Sequence, residues 1–159
     1  MTDVPDDERA VLPRDAVPYL PASVDSVLQF VQNAKLDASD LVVDVGSGIG
    51  RAAALIHALC GASVIGIELQ PQLVARARKF ENEHVRFIEG DALLVTPAAT
   101  AYFLYCPFSG ETLGRWLDAL PRTTEAWLGC VDVPLPSRSW LEALPSPSAE
   151  LDLYRARAS

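Results

Sequence analysis

The sequence predicts an α/β fold, a doubly wound and mostly parallel sheet with helices on both faces. Three observations predict it. Short runs of branched apolar residues recur along the chain, as strands buried on both faces require. Stretches with apolar residues at helical spacing alternate with those runs. A glycine-rich turn, Gly46-Ser-Gly48-Ile-Gly50, follows the first run directly and leads into a helical stretch.

Taken in order, residues 1 to about 20 are polar and proline-bearing and read as an N-terminal arm, with residues 21–159 forming the domain. Val24, Val27, Leu28 and Val31 fall at helical spacing. Leu41 to Val45 is the first strand, and Ala52, Leu55, Ile56 and Leu59 mark the next helix. Residues 63–69, "SVIGIEL", form the second strand. Pro71 suits a first helical position, and Leu73, Val74 and Ala77 face inward behind it. Residues 84–91 and 100–107 give the third and fourth strands, with a loop between them. Leu113, Trp116, Leu117 and Leu120 mark a further helix, and residues 125–133 a fifth strand. A short helix around Trp140, Leu141 and Leu144 precedes the last strand, 150–157.

Composition narrows the function classes. The 159 residues are one domain's worth, half of them apolar. No apolar run approaches the roughly 18 residues of a membrane span, and the acidic, proline-bearing N-terminus resembles neither a signal nor a transit peptide. Cys60, Cys106 and Cys130 form no Cys-x-x-Cys and read as reduced thiols, which points to the cytoplasm. With 13 basic and 21 acidic residues, the net charge of −8 disfavours general nucleic-acid binding. Two histidines without ligand spacing argue against a metal site. The chain is expected as a monomer or homodimer.

The glycine turn carries the chemistry. In a doubly wound sheet ligands bind beyond the carboxyl ends of the strands, where strand order reverses, and this turn sits at such an end. A triphosphate is excluded, because no Gly-Lys-Ser/Thr follows. A dinucleotide prefers Gly-x-Gly-x-x-Gly, whereas here the spacing is Gly46-x-Gly48-x-Gly50 with Asp44 in front. A carboxylate there is a poor neighbour for a pyrophosphate and a good one for an ammonium group.

Asp44-x-Gly46-x-Gly48-x-Gly50 resembles the first motif of class I S-adenosylmethionine-dependent methyltransferases. The resemblance implies a Rossmann-like methyltransferase sheet, the S-adenosylmethionine cofactor and S-adenosylhomocysteine as its product. It implies that Gly46, Ser47, Gly48 and Gly50 lie against the methionine part, with Asp44 near its amino group. Glu68, closing the second strand, would accept from the ribose hydroxyls, as the equivalent acid does in dinucleotide folds. Asp91 would sit beside the adenine amino group, with Leu69, Gln70 and Ala92 supplying walls and backbone contacts.

Upstream, Pro18-Tyr19-Leu20-Pro21, the helix that follows, and Asp44 to Arg51 resemble the small seven-strand lysine methyltransferases that modify the ATP synthase c-subunit and the adenine nucleotide translocase. That likeness spans roughly residues 17 to 107 and adds Tyr19 to the expected cofactor contacts. Ile49 stands where that family carries an Asp, and Cys106 stands where amino-methylating relatives carry an Asn. The resemblance implies that Tyr105 and Phe108 line the substrate side, with the Tyr105 ring also against the cofactor. A lysine amine, with a free pKa of about 10.4, must arrive unprotonated. No general base is evident, which fits a site that works by desolvation and positioning. With only the arm as cover, the pocket is expected to be open and to take a protein or another large amine-bearing substrate. A small-molecule methyltransferase and a non-catalytic cofactor-binding module are the alternatives.

Overall fold

A computed structural model describes residues 23–105, 108 and 110–159 of the chain. The arm expected at 1–20 lies outside the described residues. Helix α1 (Val24–Asn33) begins at Ser23, whose Oγ accepts the Ser26 N–H at 3.1 Å, with Asp25 in the first turn. Strand β1 (Leu41–Val45) leads through the glycine turn to α2 (Arg51–Cys60), then β2 (Ser63–Glu68) and α3 (Pro71–Ala77). Strand β3 (Val85–Glu89), the one-turn α4 (Ala92–Val95), β4 (Ala101–Tyr105), α5 (Gly110–Ala119) and β5 (Ala126–Val131) follow. The chain closes with β6 (Leu141–Leu144) and β7 (Leu151–Ala156).

The seven strands run β3-β2-β1-β4-β5-β7-β6. The first five are parallel, and β7 is antiparallel to both β5 and β6. Strand order therefore reverses between β1 and β4. The doubly wound, mostly parallel sheet is the one that the alternating sequence pattern requires.

Side-chain alternation along each strand splits the core in two. Val42, Val64, Val85, Phe87, Ala101 and Phe103 face α1, α2 and α3, while Val43, Val45, Ile65, Ile67, Tyr102 and Leu104 face α5. Trp116 anchors the second layer. It is edge-on to Tyr102, with centroids 6.0 Å apart, and its Nε1–H donates to Thr96 Oγ1 at 3.1 Å. Burying each such aromatic contributes roughly 1.5–3 kcal/mol. Tyr102 donates its own hydroxyl to Pro97 O at 2.8 Å, and burial pushes its pKa up to about 12.

Three sequence expectations are corrected. Residues 141–144 form a strand, because β7 offers an edge to pair with and the eight residues between Pro136 and Pro145 are few for a stable helix. The segment after β3 holds the one-turn α4, capped by Asp91 Oδ1 on the Leu93 N–H at 2.9 Å. In α2, Ile56 is buried and Ala52 and Leu55 pack against the core as the spacing predicts, but Ala53 joins the buried face and Leu59 is 42% exposed near the helix end.

Helix α1 lies flat on the sheet because β5 carries Gly129 beneath it. A Cβ there would stand 2.3 Å from Phe30 Cδ1 and 3.0 Å from its Cγ, near the root of a fully buried ring that also packs on Phe103 with centroids 5.4 Å apart. Gly129→Ala should therefore destabilise the fold by about 1–3 kcal/mol in a urea titration. Adding Phe30→Leu should recover part of that loss, whereas a neutral Gly129→Ala would show that α1 has room to lift.

Candidate active site

The site is built where β1, β2 and β4 end. Asp44 is in register with Gly66 on β2 and with Phe103 on β4. By alternation Asp44 and Glu68 point to the same side of the sheet, that of α1 and α2. The turn after β1 then folds back over the end of β2. Gly46 N–H and Ser47 N–H both donate to Ile67 O at 2.9 Å, and Gly50 N–H closes on Ser47 O at 3.0 Å.

Left-handed backbone and close contact explain the glycines. Gly50 has φ +86°, and a Cβ on it would lie 2.6 Å from Phe87 Cζ. Gly66, inside β2, has the same ring beneath it. A Cβ there would lie 2.6 Å from Phe87 Cδ1 and 2.7 Å from Ser47 Oγ. Phe87 and Gly66 are absent from the residues expected from the sequence. The signal for them is a lone glycine inside an apolar strand, which marks a close approach.

Glu68, 8% exposed, ties the turn down: its Oε1 accepts Gly48 N–H and its Oε2 accepts Gln70 N–H, each at 2.9 Å. Carboxylate oxygens carry two lone pairs each, so such bonds leave acceptor capacity for hydroxyl donors. Asp44 is different. It is 2% exposed and its Oδ2 has no hydrogen-bond partner; neither does Ser47 Oγ, which is also buried. Burial, reinforced by repulsion from Glu68 and opposed by the Ala53 N–H, pushes the Asp44 carboxyl up to about 7. A buried carboxylate oxygen without a donor is costly, by about 1–3 kcal/mol or more. Its position beside the turn marks where a cationic or hydrogen-bonding group belongs.

The other expected residues are placed as follows. Leu69 is 39% exposed just beyond β2, and Gln70 and Ala92 are buried. Asp91 lies two residues past β3 and spends one oxygen on capping α4, while Gly90 N–H donates to Glu68 O at 3.0 Å and draws the two strand ends together. Tyr105 ends β4 and packs with the layer holding Phe30 and Phe103. Phe108 packs with the other layer, its ring 6.2 Å from that of Trp116. The two rings expected to line one channel thus pack with opposite layers of the sheet. Tyr19 and Cys106 lie outside the described residues. His57 and His84 stack with centroids 5.3 Å apart, and no cluster of three metal-type ligands occurs among the described residues.

A methyltransferase-domain family profile matches residues 42–126, from β1 to the start of β5. The chain belongs to the methyltransferase domain family. This methyltransferase is similar in fold to an RNA methyltransferase from Salinibacter ruber solved with S-adenosyl-L-homocysteine, with a TM-score of 0.69 and 24% identity over 86% of this chain and 92% of that one. A putative methyltransferase, yhhF, from Escherichia coli matches with a TM-score of 0.67 and 16% identity over 91% of each chain. Geranyl diphosphate C-methyltransferase from Streptomyces coelicolor matches at 0.56 and 17% identity, over 67% of this chain and 45% of that one. No curated protein matches in sequence. Family membership agrees with the enzyme class and the S-adenosylmethionine cofactor that the motif implied. It leaves the methyl acceptor to the proposals below, as it does the seven-strand lysine subgroup.

The Asp44 carboxyl has a measurable consequence for the protein without ligand. Its folded pKa, about 7, lies above the ordinary 3.8, so the folded state holds this proton more tightly. The resulting stabilisation is complete below about 3.8 and is lost as pH rises through 7. Asp44→Asn should therefore flatten the fall in melting temperature between pH 4 and 7. Identical pH profiles for the two proteins would mean that Asp44 titrates normally.

Proposed function

We propose that the chain is an S-adenosylmethionine-dependent methyltransferase that methylates an amine on a protein, most simply a lysine side chain. The cofactor half rests on one observation, the partnerless Oδ2 of buried Asp44 beside the glycine turn. An ammonium group satisfies that atom, and a pyrophosphate does not. Ser47 Oγ is a second polar atom awaiting a partner there. Gly46, Gly48 and Gly50 give the methionine part a backbone surface without side chains. Glu68 takes the ribose hydroxyls, and Leu69, Gln70, Asp91 and Ala92 surround the adenine. Tyr19 adds a contact from the arm at 1–20, as the resemblance implies.

The cofactor, when bound, supplies an already activated methyl group. What this chain's residues contribute is position and dryness. The Gly46 and Ser47 N–H groups donate to the Ile67 carbonyl of β2, Gly48 N–H donates to Glu68 Oε1 and Gly50 N–H closes on Ser47 O, so the turn holds the bound group in place. Tyr105, on the same side of the sheet as Asp44, stands where an acceptor nitrogen arrives at the reversal of strand order. Phe108, against Trp116, supports that strand end from the other layer. Desolvation there favours the neutral amine, the form able to attack.

The lysine assignment is supported by the likeness of Pro18 to Pro21 and of Asp44 to Arg51 to the lysine methyltransferases, and by the net charge of −8, which suits a cationic acceptor. The reading of the cysteines as reduced thiols supports a cytoplasmic site of action. Binding comes first as a test. S-adenosylhomocysteine should bind one-to-one, and Glu68→Gln should bind it about tenfold more weakly, since it loses charge-assisted bonds of roughly 1.5–3 kcal/mol each. Heat on titration with NAD and none with S-adenosylhomocysteine would remove the cofactor assignment.

Acceptor identity is read by labelling. Incubated with methyl-labelled cofactor and a lysate, the protein should label polypeptide at lysine. Tyr105→Ala should cut transfer by about 100-fold while weakening S-adenosylhomocysteine only a few-fold, the loss of its ring contact with the cofactor. Label in RNA or in a small molecule would refute the lysine assignment and leave the cofactor assignment standing.

A further inference from the structure

We propose that His57 and His84 form a binding site for a divalent first-row transition-metal ion, at the edge of the sheet opposite the glycine turn. The site stands apart from the cofactor and from the methyl acceptor.

The two histidines are far apart in sequence, and the fold brings them together. His57 lies in the last turn of α2, and His84 immediately precedes β3. Both stand at the amino-terminal ends of the strands. His57 Nδ1 donates to Ala62 O, just before β2, at 2.8 Å, and the Val64 N–H of β2 donates to His84 O, also at 2.8 Å. Each backbone is also held on its own account. His57 O accepts the Gly61 N–H at 2.8 Å, and the His84 N–H donates to Asn82 Oδ1 at 2.8 Å. Between these two fixed points the rings stack, with centroids 5.3 Å apart and planes 19° from parallel.

Hydrogen bonding sets the chemistry of the pair. A carbonyl oxygen only accepts, so the bond to Ala62 O puts the His57 proton on Nδ1 and leaves Nε2 as a lone pair. That lone pair has no partner among the described residues. An imidazole with one nitrogen tied to a backbone carbonyl and the other free is the arrangement of a metal ligand, its tautomer and ring orientation already fixed. His84 is exposed and has Glu83 Oε1 3.5 Å from its Nε2, so a second imidazole and a carboxylate stand beside the first. The C-terminal carbonyls of α2 add partial negative charge, which attracts a cation. Cys60, also at this helix end, is not part of the site. Its Sγ donates to Ile56 O at 3.1 Å, and burial pushes its thiol pKa up, away from the thiolate that a metal needs.

Imidazole suits zinc, copper and nickel, whereas calcium and magnesium prefer oxygen ligands. With two histidines as protein ligands, water and the Glu83 carboxylate complete the shell. An ion held this way fastens the end of α2 to the start of β3.

The test uses the full chain and zinc alone. The chain has two histidines, so their imidazole C–H signals in a proton NMR spectrum report on the site directly. At about pH 7.5, one equivalent of zinc should shift both sets of signals, and excess zinc should raise the melting temperature by about 2–4 °C. Both effects should vanish at about pH 5, because a ligand imidazole must be unprotonated. His57→Phe and His84→Phe keep an aromatic ring in the stack and remove one lone pair. Each should lose the zinc effect, while Cys60→Ser should keep it. The inference is wrong if zinc shifts neither set of signals or only one, or if either Phe variant binds zinc like the parent. Loss of binding in Cys60→Ser overturns it too. Should His57→Phe fail to fold, His84→Phe, at the exposed partner, decides alone.

Discussion

The turn from Gly46 to Gly50 lies directly on the end of β2, and that close approach governs much of the molecule. It demands Gly66 beneath Ser47, Phe87 beneath both Gly50 and Gly66, and a carbonyl at Ile67 that accepts two N–H groups. It also sets where α2 begins. From there Ala53 and Ile56 face the core, with Ala52 and Leu55 packed at its margin. A side chain at Gly50 or Gly66 would have to displace an aromatic ring that is itself part of the α2 and α3 packing layer. The same contact that shapes the ligand site is thus a core contact.

Electrostatics follow from that geometry. Bringing the turn down on β2 buries Glu68 and Asp44 on one side of the sheet. Glu68 is offset by two backbone N–H donors. Asp44 has only the Ala53 N–H against its desolvation, and its second oxygen is left over. A fold selected for stability alone would place an amide or an apolar residue at this point. Local cost at a strand end beside a glycine turn is the physical mark of a ligand site. The two acids therefore differ in the structure, Glu68 holding the turn through two backbone N–H groups and Asp44 keeping one buried oxygen without a donor.

At the far side of the sheet the constraints are structural. β7 enters antiparallel beside β5, and β6 covers its outer edge with four residues. Arg155 lies over Trp127 at 4.5 Å from the ring centroid, and Arg122 over Trp140 at 4.2 Å, so two of the three tryptophans are shielded from solvent by cations. These features keep the C-terminal strands together at a distance from the glycine turn.

The sequence by itself determined the sheet class, the five parallel strands, the helices between them and the residues that end the strands. Those features depend on local periodicity, on glycine and proline, and on acids at strand ends, all of which are written within a few consecutive residues. Asp44, Glu68 and the three turn glycines were legible for that reason. Only the tertiary structure decided that residues 141–144 pair as a strand, since the β7 edge that recruits them is formed by residues that follow in the chain. Only it decided that Phe87 lies under Gly50 and Gly66, and that Tyr105 and Phe108 pack with different layers. It alone left Asp44 Oδ2 without a donor while Glu68 gained two. Whether a carboxylate is satisfied depends on which backbone N–H groups come within 3 Å of it, and one of the two donors to Glu68, the Gly48 N–H, comes from a turn 20 residues away along the chain.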